Sequence, residues 1–120
     1  MKNNIILDKS FDFAVRIVNL NKYLVSEKKE FVLSKQVLRS GTSIGALVRE
    51  AQQAESNADF IHKLSIALKE ANETEYWLLL LNKTEYLPDN QFKSLHADIE
   101  ELLKLLVSII KSSKKGGGNG

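Results

Sequence analysis

The chain contains no cysteine, a single proline and no long apolar run. Without cysteine, disulfides, thiolate zinc sites and cysteine catalysis are excluded, and the composition suits a reducing compartment. The N-terminal residues lack the apolar run of a signal peptide, and no stretch approaches the roughly 20 apolar residues of a membrane span. We therefore expect a cytoplasmic protein without a membrane segment.

An excess of charge of one sign is also missing. Seventeen basic residues face fifteen acidic ones, for a formal net charge of +2 over 120 residues. A charge this small does not by itself indicate nucleic-acid binding. The length suits one domain with one hydrophobic core.

Clustered catalytic residues are absent as well. There are two histidines, His62 and His96, and neither has the glutamate three positions earlier that di-iron bundles use. We predict no metal site, no cofactor and no enzymatic activity, with both histidines at the surface. Gly41 and Gly45 form no phosphate loop, since no Gly-Lys-Ser sequence follows them. A hydrolytic pair of Glu50 and Glu73 is kept as a minor alternative.

Helical periodicity accounts for most of the chain. The first helix is predicted to begin near Asp8 or Ser10 and end near residues 26–29, and the second to run from an N-cap at Ser34 to about Glu55. The third is predicted to start at the N-cap Ser56 and reach about residue 82, and the fourth to follow the proline at position 88. These four helices predict an all-α, antiparallel up-down-up-down four-helix bundle over residues 1–113. Residues 114–120 are glycine-rich and are predicted to be a flexible, non-helical tail.

Each predicted helix has an apolar stripe at helical spacing. The stripe residues are Phe13, Ile17, Leu20 and Leu24; then Val37, Gly41, Ile44, Val48 and Ala51; then Phe60, Leu64, Ala67, Leu68, Ala71 and Leu78; and finally Phe92, Leu95, Ile99, Leu102, Leu106 and Ile109. Gly41 and Gly45 each cost a helix about 1 kcal/mol relative to alanine, so we expect close packing of another helix against them.

The fourth helix has more apolar residues than one buried face requires. Leu103, Leu105, Val107 and Ile110 lie outside its main stripe. A helix that is apolar around most of its circumference is covered on more than one side. We therefore predict a homo-oligomer, with the contact through the second apolar side of helix four or through helix one.

The basic residues are the candidate functional surface of the chain. The basic residues Arg16, Lys22, Lys35, Arg39 and Arg49 are candidate nucleic-acid contacts, scattered in one chain but copied by symmetry in an oligomer. The alternative is a protein–protein interaction module without nucleic-acid binding. Arg39 is expected to pair with Glu50 or Glu73 of a neighbouring helix or subunit, since Arg39 and Glu50 lie roughly 16 Å apart on one helix.

The segment 31–46, the residues 49–51 that follow and the segment 58–75 resemble a bacterial family of four-helix bundles named for 23S rRNA intervening sequences. The accessory variability determinant of diversity-generating retroelements is similar in fold. By position, the family signature falls on these residues: Gln36, Arg39, Ser43, Ile44, Glu50 and Glu73. The chain departs from the family pattern at Leu47, where asparagine is frequent, and at residues 69–70, where Gly-Ser is frequent.

The resemblance implies an up-down bundle that assembles into a homopentameric ring and has a suspected role with RNA or DNA. It also implies a possible partner protein such as a reverse transcriptase. The sequence itself identifies neither the partner nor the nucleic-acid target.

Overall fold

A computed structural model describes residues 3–118 of the chain, and the side chains of residues 5–116. It contains four helices: α1 (Asn3–Ser26), α2 (Leu33–Ala51), α3 (Asn57–Lys83) and α4 (Asp89–Gly118), with no strand in this part of the chain. They form an antiparallel bundle about 52 Å long and 20 Å wide. The predicted all-α four-helix bundle is confirmed. None of these helices has an apolar stretch of the length that a bilayer crossing requires.

The helix starts differ from the prediction in two places. Helix α1 already includes Asn3, so Asp8 and Ser10 lie inside the helix rather than at its start. Helix α2 begins at Leu33, and the predicted cap Ser34 is the second residue of the helix. Ser56 does cap α3, because its Oγ accepts a hydrogen bond from the Asp59 backbone N–H at 3.1 Å.

Two helix ends also differ. Helix α2 stops at Ala51, four residues before the predicted end at Glu55. Helix α4 continues to Gly118, so the prediction that residues 114–118 are non-helical is wrong. The boundary between a bundle at 1–113 and an independently moving tail at 114–120 stays a prediction.

The predicted apolar stripes form the core. All of the second-helix stripe and most of the others are buried, and Thr74 and Leu81 join them from α3. Phe60, Leu68, Phe92 and Ile109 are only partly buried at its edge. The core therefore follows helical periodicity closely.

Helix α2 packs tightly against α1 at its two glycines. A Cβ placed on Gly41 would lie 2.8 Å from Ile17 Cγ1, and one on Gly45 would lie 3.1 Å from the Ser10 carbonyl oxygen. Both distances are shorter than ordinary carbon contacts. The predicted close packing at these glycines is confirmed, and it offsets their poor helix propensity.

Helices α1 and α4 make the sparsest contact of the four neighbouring pairs. Polar pairs line this seam, where Lys9 Nζ lies 3.1 Å from Glu101 Oε2 and Arg16 Nη1 lies 2.6 Å from Asp98 Oδ2. A shallow cleft of about 270 Å³ follows the seam beside Arg16. The bundle is thus held mainly through α1–α2, α2–α3 and α3–α4 contacts.

Candidate nucleic-acid interface

Arg39 of α2 is bound by two carboxylates of α3. Its Nη1 donates to Glu70 Oε1 at 3.1 Å and its Nη2 donates to Glu73 Oε2. Glu73 Oε2 also accepts from Trp77 Nε1 at 2.9 Å. The predicted pairing of Arg39 with Glu73 is confirmed, within one chain and between neighbouring helices.

The pKa values of this cluster follow from those contacts. The hydrogen bond from Trp77, followed by that from Arg39, lowers the pKa of the Glu73 carboxyl below its ordinary value. The hydrogen bond to Glu73 in turn raises the pKa of the Arg39 guanidinium. Both groups are therefore held in their charged forms, and the cluster joins α2 to α3.

The other signature residues have mixed surroundings. Ile44 is fully buried in the core, and Ser43 Oγ donates to the Arg39 carbonyl at 2.6 Å. Glu50 pairs with Lys63 Nζ at 3.3 Å and not with Arg39. Gln36 is exposed. Three of the six signature residues, Arg39, Glu50 and Glu73, thus make ion pairs that join α2 to α3.

Leu47, which stands where the family often has asparagine, is half-buried and packs against the core. At this position an apolar contact therefore replaces whatever hydrogen bond an asparagine would make.

The five candidate nucleic-acid residues divide into two groups. Arg16 and Arg39 are bound by carboxylates, and their charge is already compensated. The remaining three are exposed and make no ion pair within the residues that the structure describes: Lys22, Lys35 and Arg49. Only this second group offers free positive charge.

Lys22 and Lys35 lie at nearly the same level of α1 and α2, toward one end of the bundle. Asn21 Nδ2 of α1 donates to the Ser34 carbonyl of α2 at 3.1 Å, so these two residues lie at the same level of the bundle. Lys22 directly follows Asn21, and Lys35 directly follows Ser34. The turn between these helices adds Lys28 and Lys29, both exposed. These four, Lys22, Lys28, Lys29 and Lys35, are called the loop-end lysines below. Arg49 lies about 21 Å from Lys35 along α2, at 1.5 Å per residue, and belongs to the other end.

Glu30 shapes the turn that carries these lysines. Its side chain is buried, at 8 % exposure, and its carboxylate accepts from the backbone N–H groups of Val32, Leu33 and Ser34 at 3.2, 3.0 and 2.7 Å. Those are unpaired donors at the start of α2, which a carboxylate stabilises. Lys29, just before it, has a left-handed backbone with φ 54°.

The inward position of Glu30 has an electrostatic consequence. Burial acts to raise the pKa of its carboxyl, but the backbone hydrogen bonds outweigh that effect, and the pKa lies below its ordinary value. Its negative charge therefore interacts with the backbone N–H groups at the start of α2. Among residues 22–35 Glu27 is then the one acidic side chain that remains exposed beside the loop-end lysines.

Two apolar side chains are exposed at the same turn. Phe31 is 54 % exposed and Val32 is 69 % exposed. An aromatic ring among lysines is a surface on which a nucleic-acid base can stack while the cations contact phosphates.

A second basic surface lies at the opposite end of the bundle. The last acidic residue of the chain is Glu101, and four lysines follow it in α4: Lys104, Lys111, Lys114 and Lys115. Asn57 Nδ2 donates to the Ser113 carbonyl at 3.0 Å, which places this part of α4 beside the start of α3. The two basic surfaces are therefore separated by most of the bundle length.

Sequence reasoning found half of the loop-end lysines. Lys28 and Lys29 were not among the candidates, although an adjacent lysine pair between two predicted helices is a visible signal. The proximity of Lys22 and Lys35 depends on the antiparallel packing and had no local signal.

Taken together, the features define a small antiparallel helical bundle with a basic turn at one end. The chain belongs to the family of 23S rRNA-intervening sequence proteins, whose model matches residues 2–108. This finding confirms the resemblance seen in the sequence.

A solved structure is closely similar. It is the crystal structure of a protein with unknown function from the S23 ribosomal protein family of Bacteroides thetaiotaomicron. The two chains are 68 % identical, with a TM-score of 0.91, and the similarity covers 92 % of this chain and 99 % of that one. The comparison with curated proteins gives no match.

Proposed function

We propose that this protein is a non-catalytic, oligomeric scaffold that binds RNA or DNA through the loop-end lysines. The observation that carries the proposal is their arrangement. Four lysines without ion-pair partners among the described residues lie at one end of the bundle beside the exposed ring of Phe31, and the nearby Glu30 is turned inward. Contacts of this kind are made to phosphates and to base faces, so the binding is expected to tolerate many sequences.

The affinity of one chain is expected to be low. Four phosphate contacts on duplex DNA give a salt slope of about −3.6, or roughly a hundredfold loss between 50 and 200 mM salt. The small net charge of +2 adds little long-range attraction. An oligomer raises the affinity because it presents several copies of the same turn to one nucleic acid.

Self-association is supported by the outer face of α1. Phe11, Val15 and Val18 are 58, 47 and 38 % exposed, and their spacing of four and three puts them on one side of the helix. Of the surplus apolar residues of α4, Ile110 is buried and Leu103 and Leu105 are half-buried, which leaves Val107, at 38 % exposure, as the exposed one. We therefore place the contact on α1; five copies is the number that the family resemblance implies.

Light scattering at micromolar concentration tests the assembly. We expect a mass of several chains for the native protein and a smaller mass for the double variant Phe11→Ser, Val15→Ser. The exposed Val107 of α4 supplies the control Val107→Ser, which should keep the native mass. A native mass of one chain would contradict the proposed assembly.

Fluorescence anisotropy with an RNA hairpin and with a duplex DNA of similar length tests nucleic-acid binding. Changing all four loop-end lysines to glutamine should weaken binding at least tenfold and flatten the salt slope. The matched control changes the four α4 lysines (Lys104, Lys111, Lys114 and Lys115) to glutamine and removes the same total charge. Equal losses in both variants would show that the turn has no special role.

The exposed apolar face of α1 favours a second candidate function. Phe11, Val15 and Val18 could equally receive a different protein. If the intact oligomer retains neither RNA nor DNA at low salt, a protein–protein interaction module is the better description.

A further inference from the structure

The second histidine does not lie free at the surface as the sequence predicted. His62 is exposed, but His96 of α4 is half-buried against α3. His96 Nε2 lies 2.9 Å from Glu75 Oε2, and His96 Nδ1 lies 3.6 Å from Glu100 Oε1. Nothing in the proposed nucleic-acid role uses these three side chains.

We infer that Glu75, His96 and Glu100 form a binding site for a divalent transition-metal ion of the zinc class. One ligand atom from each of the three residues lies within 4.8 Å of the other two. Ligand atoms around a tetrahedral zinc ion are about 3.4 Å apart, for bonds of about 2.1 Å. Glu75 faces Nε2 and Glu100 faces Nδ1, so to bind one ion together one of the two carboxylates changes rotamer, which the exposed Glu100 side chain has room to do.

The donor set selects the kind of metal. An imidazole nitrogen with two carboxylates suits Zn²⁺, Co²⁺ or Ni²⁺, whereas Mg²⁺ and Ca²⁺ prefer sites made of oxygen alone. Three protein ligands leave at least one coordination position for water. The site is distinct from the basic turn, and its ion would connect α3 to α4.

The surroundings hold the imidazole in place. The Phe92 ring, one turn earlier on α4, stacks on the His96 ring with 5.1 Å between centroids. His96 and Glu100 are four residues apart on one helix face, the spacing that helical metal motifs use, and Glu75 faces them from α3. A ligand whose rotamer is fixed before binding loses less freedom when the metal arrives.

Sequence spacing could not reveal this site. Glu75 is 21 positions from His96 and lies on a different helix. The only local signal was His96 followed by Glu100 at a spacing of four, a pattern that is usually an ordinary helix-surface pair. The α3–α4 packing brings the third ligand to it.

Calorimetric titration of the untagged full chain with Zn²⁺ tests the inference. We expect one ion per chain for the native protein and at least a tenfold weaker affinity for His96→Gln and for Glu75→Gln. His62→Gln is the matched control, because it removes the other histidine of the chain and should leave the affinity unchanged. Glu100→Gln, at a more exposed position, should also weaken binding without disturbing the core.

Proton NMR with Co²⁺ separates coordination by the imidazole from loose attraction to carboxylates. The ring protons of His96 should shift or broaden upon addition of one equivalent, while those of His62 stay in place. The absence of binding up to about millimolar Zn²⁺, or binding that His96→Gln leaves unchanged, would overturn the inference.

Discussion

Glu30 offers the sharpest test of how the basic turn is built. Replacing it with alanine removes the acceptor of three backbone hydrogen bonds at the start of α2. Loss of an ordinary N-cap costs about 0.5–2 kcal/mol, and a partly buried charge at a helix end contributes up to about 2 kcal/mol. Water can reach part of the freed backbone, since Val32 is exposed. We therefore expect Glu30→Ala to lower the free energy of unfolding by about 2–3 kcal/mol.

The variant Glu30→Gln isolates the charge. It keeps one acceptor oxygen in place, so we expect a smaller loss of about 1 kcal/mol at pH 7. The folded-state pKa of Glu30 lies below its ordinary value, so its stabilisation is fully present above the unfolded pKa. It is lost as the pH falls through the folded pKa. The difference between native protein and Glu30→Gln should therefore be constant near neutrality and shrink below about pH 4.

Urea unfolding followed by circular dichroism, at pH 7 and at several values down to pH 3, measures both effects. The exposed Glu27 three residues earlier supplies the control Glu27→Gln, expected to stay within about 0.5 kcal/mol of the native protein. A Glu30→Ala midpoint equal to the native one at pH 7 would refute the capping role. So would a Glu30→Gln difference that stays the same from pH 7 to pH 3.

Three further stability predictions use the same unfolding assay. Arg39→Ala should lower the free energy of unfolding by about 1.5 kcal/mol, more than the 0–1 kcal/mol of an isolated exposed pair, because two carboxylates lose their partner. The control Arg49→Ala removes an arginine without an ion pair and should lower it by less than about 0.5 kcal/mol. Equal losses in the two variants would contradict a special role for the Arg39 cluster. Gly41→Ala should destabilise the protein by about 1 kcal/mol, because the strain of about 1–3 kcal/mol that the new methyl group makes against the buried Ile17 exceeds the gain in helix propensity. A higher urea midpoint for Gly41→Ala would contradict the tight contact. Glu85→Gly should stabilise by about 1 kcal/mol, because Glu85 has a left-handed φ of 69° that glycine adopts without strain; an unchanged or lower midpoint would contradict this.

Much of the fold could be predicted because burial follows helical periodicity. The second-helix stripe from Val37 to Ala51 is buried as expected. Ser56 caps α3 through a hydrogen bond from the backbone N–H of Asp59, three positions later in the sequence. The start of α2 could not be predicted in the same way. Ser34 is a good local cap, but the longer Glu30 side chain reaches three donors at once, and the hydroxyl of Ser34 instead donates to the Glu30 carbonyl at 2.9 Å.

The candidate sites depend on packing that no local pattern encodes. The Arg39–Glu73 pair was predictable, because Glu50 lies roughly 16 Å from Arg39 on the same helix, which left a carboxylate of a neighbouring helix as the partner. Lys22 and Lys35 lie at the same level, and His96 contacts Glu75, only because neighbouring antiparallel helices bring distant positions together. Arg16 was predicted as a candidate nucleic-acid contact, but at the α1–α4 seam it pairs with Asp98.

Protection of lysines from chemical modification tests the nucleic-acid role most directly. The intact protein is treated with an amine-reactive reagent at low salt, with and without a structured RNA, and each lysine is quantified by mass spectrometry. We expect the RNA to protect the loop-end lysines, while the α4 lysines from Lys104 to Lys115 react as in the free protein. Uniform reactivity at the turn with RNA bound, or protection confined to α4, would contradict the proposed function.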